Sequence, residues 1–217
     1  SLVADSLVSR TKVNYVNILP IPFIPPRDLT AILTSDKDVL LLWDMSHFSD
    51  GFETGDFSLW DSVAQGPGVP IEEDKFAYWH VSTQTPYEGS YGAIVNYGYD
   101  IDTRIVMPPL LATDTTLLSF LWLSSYYWHV FPFDHGDLFV EISEDGGATW
   151  SPVWTFGNIG EWLNMTWYET TIDFSDYSGS EILLSFHVVA DDNADIVIDN
   201  VKILNASDKK IAGKRQA

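Results

Sequence analysis

The sequence predicts an all-β chain of antiparallel sheets, a sandwich or a barrel, preceded by an extended N-terminal arm. Three observations lead there. From Val39 onward, short runs rich in β-branched and aromatic residues alternate apolar and polar positions, the period of a half-buried strand. Turn signals separate these runs, at Gly66-Pro67-Gly68, Pro86 with Gly89, Pro108-Pro109 and Ser178-Gly179. No stretch shows the helical period that a crossover between parallel strands needs, so the strands pair antiparallel.

Taken in order, residues 1–37 form the arm. Thr11–Leu19 has strand composition, and Pro20, Pro22, Pro25 and Pro26 then fix φ and remove backbone donors, so Leu19–Arg27 reads as extended. Leu29–Leu33 has room for a short turn of helix. The body, residues 38–205, contains candidate strands at Val39–Met45, Phe57–Val63, Phe76–Val81, Tyr91–Asn96, Arg104–Met107, Thr115–Ser124, Asp137–Ser143, Trp150–Phe156, Met165–Ile172, Ile182–Val189 and Ile196–Leu204. Residues 206–217 are a basic tail.

The Asp137–Phe156 stretch shows the logic most clearly. Leu138, Val140 and Ile142 point one way and Phe139, Glu141 and Ser143 the other. Glu144-Asp145-Gly146-Gly147 supplies turn chemistry, since Gly takes positive φ freely and Asp bonds back to nearby N–H groups. Ser143–Trp150 matches the S-x-D-x-G-x-T-W hairpin known as the Asp-box. In the proteins that share it the motif is structural and remote from catalysis.

Composition narrows the function. The 217 residues hold a 46% hydrophobic and 14% aromatic fraction, enough for a real core, and no cysteine, which excludes disulfides and thiolate metal sites. No apolar run approaches the roughly 18 residues of a membrane span. The chain opens at Ser1 without a signal-peptide pattern, which reads as a processed form. Net charge is −20, but residues 38–201 hold 27 acidic residues against two basic ones, Lys75 and Arg104. Such a body repels nucleic acid and anionic membrane and suits cations, saline surroundings or a basic partner.

The order of several motifs resembles the MAM-like modules, including the choice-of-anchor and cleaved-adhesin types, of bacterial and archaeal surface proteins. The residues concerned are Asp50-Gly51-Phe52-Glu53-Thr54-Gly55 with Trp60, Tyr87–Ala93, the Asp137 hairpin, Trp167, Ile172–Gly179, Ile182–His187 and Ile198-Asp199-Asn200-Val201-Lys202-Ile203. The resemblance spans about residues 48–204. It implies a jelly-roll sandwich whose first and last strands lie close together, and a non-catalytic role in adhesion, glycan contact or assembly. In similar jelly rolls a structural calcium is held by the opening F-E carboxylate and the closing I-D-N aspartate. These map onto Glu53 and Asp199, with Asp56, Asp191, Asp192 and Asp195 as helpers. Independently, converging carboxylates need a cation or a proton. The alternative is that all are solvated loop acids.

Catalysis finds little support. His47, His80, His129, His135 and His187 show no zinc spacing, and there is no nucleophile elbow or phosphate loop. His187 alternates within an apolar strand and reads as a hydrogen-bonded core residue. The run Tyr126, Tyr127, Trp128, His129, Phe131 and Phe133 offers flat rings beside hydrogen-bonding groups, suited to sugar faces or a protein interface; the alternative is that the rings cap one end of the core. Asn164 and Asn205 open N-glycosylation sequons.

Two functions follow. The first is a non-enzymatic extracellular structural or adhesion protein that assembles head-to-tail into a surface fibre. Its arm residues Val13, Tyr15, Val16, Ile18 and Leu19 would join a neighbour's sheet edge, with Arg10, Lys12, Arg27 and the basic tail facing the acidic body. The second is a carbohydrate-binding module of a secreted protein or hydrolase.

Overall fold

The computed structural model describes residues 30–33, 39–42, 48–70, 73, 75–130, 136–192 and 194–205; for residues 30–33, 39–42, 128 and 205 it describes the backbone alone. The assembly arm Val13–Leu19, Phe131, Phe133 and the basic tail lie outside the described residues.

The chain divides into two compact units, Ser1–Asp44 and Met45–Ala217. In the first, β1 (Thr30–Leu33) and β2 (Val39–Leu42) pair antiparallel, Thr30 opposite Leu42 and Leu33 opposite Val39. The helical turn read at Leu29–Leu33 is corrected: Thr30 and Ile32 are β-branched, and a partner strand is at hand to take their backbone groups.

The second unit is an antiparallel jelly-roll β-sandwich. Its strands are β3 (Phe48–Asp50), β4 (Ser62–Ala64), β5 (Val69–Pro70), β6 (His80–Ser82), β7 (Gly92–Val95), β8 (Gly98–Val106), β9 (Leu110–Leu111) and β10 (Thr116–Leu123). A five-residue helix, α1 (Tyr126–Val130), follows. The remaining strands are β11 (Gly136–Ser143), β12 (Ser151–Thr155), β13 (Tyr168–Asp173), β14 (Glu181–Asp192) and β15 (Ile196–Asn205). One sheet runs β13-β10-β15-β7-β6 with β3 also on β15; the other runs β12-β11-β14-β8-β4 with β5 on β8 and β9 on β14. Among the described residues no helix is long and apolar enough to cross a membrane.

Alternation puts Leu138, Val140 and Ile142 of β11, Leu184, Phe186 and Val188 of β14, and Leu118, Phe120 and Trp122 of β10 into one core between the sheets. Each such side chain contributes about 1.5–3 kcal/mol on burial. Trp79 is buried and its Nε1–H donates to the Phe186 carbonyl (3.2 Å), so its one polar group is satisfied inside.

Strand boundaries shift where side chains do other work. Phe57–Trp60, read as the start of a strand, is turn: Phe52, Phe57 and Trp60 pack ring against ring, and Trp60 Nε1–H donates to the buried Asp50 carboxylate (2.8 Å). β8 reaches back to Gly98 because the twelve-residue β14 offers it a partner as far as Asp192 opposite Tyr99.

Candidate functional site

β14 lies between β8 and β11, with Arg104 opposite His187 and Ser185 opposite Glu141. Because Leu184, Phe186 and Val188 face the core, Ser185, His187 and Val189 face outward. Arg104 from β8 and Glu141 from β11 then meet over β14. Arg104 Nη2–H donates to Glu141 Oε2, and the same nitrogen lies 3.1 Å from His187 Nδ1. His187 Nε2 is 2.8 Å from Asp102 Oδ1, and its Nδ1 lies 3.2 Å from Glu141 Oε2 as well, so the ring sits between two carboxylates and the guanidinium. The core reading of His187 is therefore corrected. The ring is hydrogen-bonded, but on the outer face in a charged network.

Trp150 roofs this network, its ring centroid 4.8 Å from the Arg104 guanidinium carbon. The Asp-box places it. Asp145 Oδ1 accepts from Ser143 Oγ (2.8 Å) and Thr149 N–H (2.9 Å), and Oδ2 accepts from Thr149 Oγ1–H (2.7 Å). These bonds, Thr149's first, hold the Asp145 carboxyl down to about 2. Gly146 and Gly147 turn with φ of 71° and 91°, open to Gly without strain. Beneath the roof, Ser185 Oγ and Arg104 Nε are buried and meet no hydrogen-bond partner among the described residues. Each such group costs about 1–3 kcal/mol if left unmet. A hollow of ≈ 540 Å³ adjoins the Trp150 end of the face, lined by Asp61, Glu144, Glu181 and Leu183 among others.

The acids proposed for calcium separate into two places. Glu53 and Asp199 come together around the 87–91 loop: Tyr87 N–H (2.9 Å) and Glu88 N–H (3.3 Å) donate to Asp199 Oδ2, while Ser90 N–H and Tyr91 N–H (both 3.0 Å) donate to Glu53 Oε1. Burial pushes the Asp199 carboxyl up, and the Glu53 charge adds to that, against the backbone N–H bonds. Asp50, buried beside them in sequence, already spends both oxygens on Phe52 N–H and Trp60 Nε1–H. Asp56 lies on a surface turn and accepts from Ser58 N–H (3.0 Å). Asp191 and Asp192 end β14, and Asp195, just before β15, accepts from Tyr97 N–H (2.8 Å). Among the described residues no three acidic or histidine side chains converge in metal-ligand geometry. Both oxygens of Glu53 and of Asp199 are engaged too, Ser90 N–H donating to Glu53 Oε2 (3.1 Å) and Asn200 N–H to Asp199 Oδ1 (2.6 Å), so a cation at this place would share oxygens that backbone N–H groups already occupy.

In the aromatic run, Tyr126 and His129 do the core-capping work: Tyr126 packs edge-on against Trp162 (4.9 Å) and His129 against Phe156 (5.1 Å). Tyr127 is exposed. Asn164 is exposed too, its Oδ1 accepting from Tyr127 N–H (3.1 Å), beside a cavity of ≈ 490 Å³ that also includes Lys75, Tyr97 and Asp195.

No family profile matches the chain, and no curated protein matches it by sequence. Solved structures with a similar chain trace include TmCBM61 in complex with beta-1,4-galactotriose, at 19% identity and TM-score 0.48, covering 72% of this chain and 94% of that one. The K3 cleaved adhesin domain of Lys-gingipain from Porphyromonas gingivalis overlaps at 14% identity and TM-score 0.48, over 73% of this chain and 98% of that one. The C-terminal family 22 carbohydrate-binding module of Clostridium thermocellum Xyn10B overlaps at 15% identity and TM-score 0.46, over 74% and 94%. What those proteins bind is a property of those proteins.

Proposed function

We propose that this chain is a non-catalytic, glycan-binding module of a secreted or cell-surface protein, and that the outer face of the β12-β11-β14-β8-β4 sheet makes the contact. The supporting observation is the Arg104–Glu141–His187–Asp102 network beside the Trp150 ring, with the Asp102 carboxylate at its exposed end. Fixed donors and acceptors beside an aromatic ring are what polyhydroxylated ligands need, and rigid strands hold them without an ordering cost. Of the two functions read from the sequence, this chemistry favours the second. Affinity electrophoresis of the full chain through a set of polysaccharides tests it: retardation in at least one gel, lost in Trp150→Ala, is the expected result. Migration unchanged in every gel overturns it.

Self-assembly by donation of Thr11–Leu19 is a separate proposal. The outer edges of β12 and β13, each the last strand of its sheet, are the places where a donated strand would pair. Native mass of the full chain against a chain lacking residues 1–27 tests it, a polymer becoming a monomer being expected. A monomer in both cases removes it. A calcium ion, if bound, would be held by Glu53 and Asp199, where it would neutralise their mutual repulsion.

A further inference from the structure

We infer that a second binding site, separate from the sheet face, lies at one end of the sandwich, where the ≈ 490 Å³ cavity beside Asn164 takes a small uncharged sugar. It shares no residue with the Arg104–Glu141–His187–Asp102 network, so neither reading depends on the other.

Connections between strands build the cavity. Lys75 precedes β6, Tyr97 joins β7 to β8, Asn164 and Met165 precede β13, and Ala194 and Asp195 join β14 to β15. The packed strands thus bring four separate connections to one place, the common way for a rigid scaffold to make a pocket. Its volume lies in the lower part of the roughly 300–1,000 Å³ range of small-molecule sites, room for about one or two sugar rings.

The polar side chains of the wall are held in place from behind. Asp195 Oδ1 accepts from Tyr97 N–H (2.8 Å) and Asn96 Nδ2–H (3.2 Å), and Asn164 Oδ1 accepts from Tyr127 N–H (3.1 Å). Met165 has φ of 52°, a left-handed conformation unfavourable for a residue with a Cβ, and its N–H donates to the Ser124 carbonyl (3.0 Å). Groups fixed before a ligand arrives lose little freedom when it binds.

What these side chains leave unused selects the ligand. Asn164 is exposed, and its amide nitrogen donates to no described residue. Lys75 Nζ donates to Gln84 Oε1 (3.1 Å), which leaves two of its three hydrogens. Asp195 Oδ2 accepts from no described residue, and it is not one of the side-chain atoms sealed from solvent without a partner, so solvent reaches it. The cavity therefore offers donors from Asn164 and Lys75 and an acceptor from Asp195. An anion drawn to Lys75 is repelled by Asp195, and a cation drawn to Asp195 is repelled by Lys75. Hydroxyl groups donate and accept at once, and bonds to an ammonium or a carboxylate are the stronger kind. Met165 (45% exposed) and Ala194 give apolar surface for the C–H groups of a ring.

Ligand-observed saturation-transfer NMR on the full chain tests the site. The neutral probes are galactose, xylose, mannose, glucose and their β-linked disaccharides; glucuronate and glucosamine are the charged ones. Saturable transfer to at least one neutral sugar is expected. Ala194→Trp, which fills the cavity, and Lys75→Met, which removes a donor, should each raise its dissociation constant at least about tenfold. Trp150→Ala, on the sheet face, should change it less than about twofold. Where Ala194→Trp does not fold, Lys75→Met decides. Long polymers in a gel report mainly the sheet face, where a chain lies across strands, so failure there leaves this result intact. Neutral binding that is lost in Trp150→Ala, or that survives both cavity variants, overturns the cavity as the site. Transfer to the charged sugars alone overturns the uncharged ligand, and transfer to no sugar overturns the inference.

Discussion

The Arg104 guanidinium carbon lies 4.8 Å from the centroid of the Trp150 ring, so a strand from one part of the chain and a hairpin from another share one charge. Such a contact contributes about 0.5–2 kcal/mol. Trp150→Ala should therefore lower the melting temperature by only a few degrees, roughly 2–4 °C per kcal/mol for a unit of this size, while removing glycan retardation. Loss of cooperative unfolding in this variant shows instead that the ring belongs to the core.

Asp145→Asn should loosen the hairpin that carries Trp150. Asp145 is held at about 2, below its ordinary 3.8, chiefly by hydrogen bonds from Thr149. A carboxyl with a lowered folded value stabilises above its unfolded value and loses that contribution as pH falls through the folded one. The melting difference between wild type and variant should thus be full at about pH 5 and above and narrow towards pH 2. Asp199 has the opposite sign: burial raises it, so its contribution is greatest below 3.8 and fades as pH rises through the raised value. A wild-type–variant difference that stays constant down to pH 2 is the outcome against the Asp145 clamp.

Gly89→Ala should damage the Glu53 clamp. Gly89 has φ +72°, and an added Cβ would lie 2.4 Å from the Glu53 carboxyl carbon. The left-handed backbone alone costs about 1–2 kcal/mol for a residue with a Cβ. Urea unfolding should report at least that loss, and a midpoint equal to wild type contradicts it.

Chelation tests the cation. A bound ion stabilises by RT ln(1 + [L]/Kd), about 2.7 kcal/mol at a hundredfold excess over Kd. If Glu53 and Asp199 hold calcium, its addition to chelated protein raises the melting temperature, and Glu53→Gln abolishes the rise. Equal melting with and without calcium removes the site.

Trp79→Ala should cost about 3–5 kcal/mol in urea unfolding, since it empties a fully buried ring site and removes the Nε1–H bond to the Phe186 carbonyl. A loss below about 1 kcal/mol places that ring outside the cooperative core.

Local chemistry was legible in the chain alone. Alternation located β10, β11, β14 and β15 to within a few residues, and the S-x-D-x-G-x-T-W spacing announced the Asp145 hairpin, because both depend on residues a few positions apart. The pairing of Glu53 with Asp199 came through the resemblance rather than from spacing. The polar face did not show itself. Arg104 stands 37 residues from Glu141 and 83 from His187, and only the register of β8 on β14 and β14 on β11 brings the three together. One signal was present: an arginine inside a strand, one of only two basic residues over positions 38–201. His187 misled because neighbouring apolar residues speak for the strand's inner face, while the histidine occupies the outer one. A strand's sequence determines which of its residues share a face. Which other strand lies alongside, and at what offset, is decided by packing between segments far apart in the chain, and that is where this site is made.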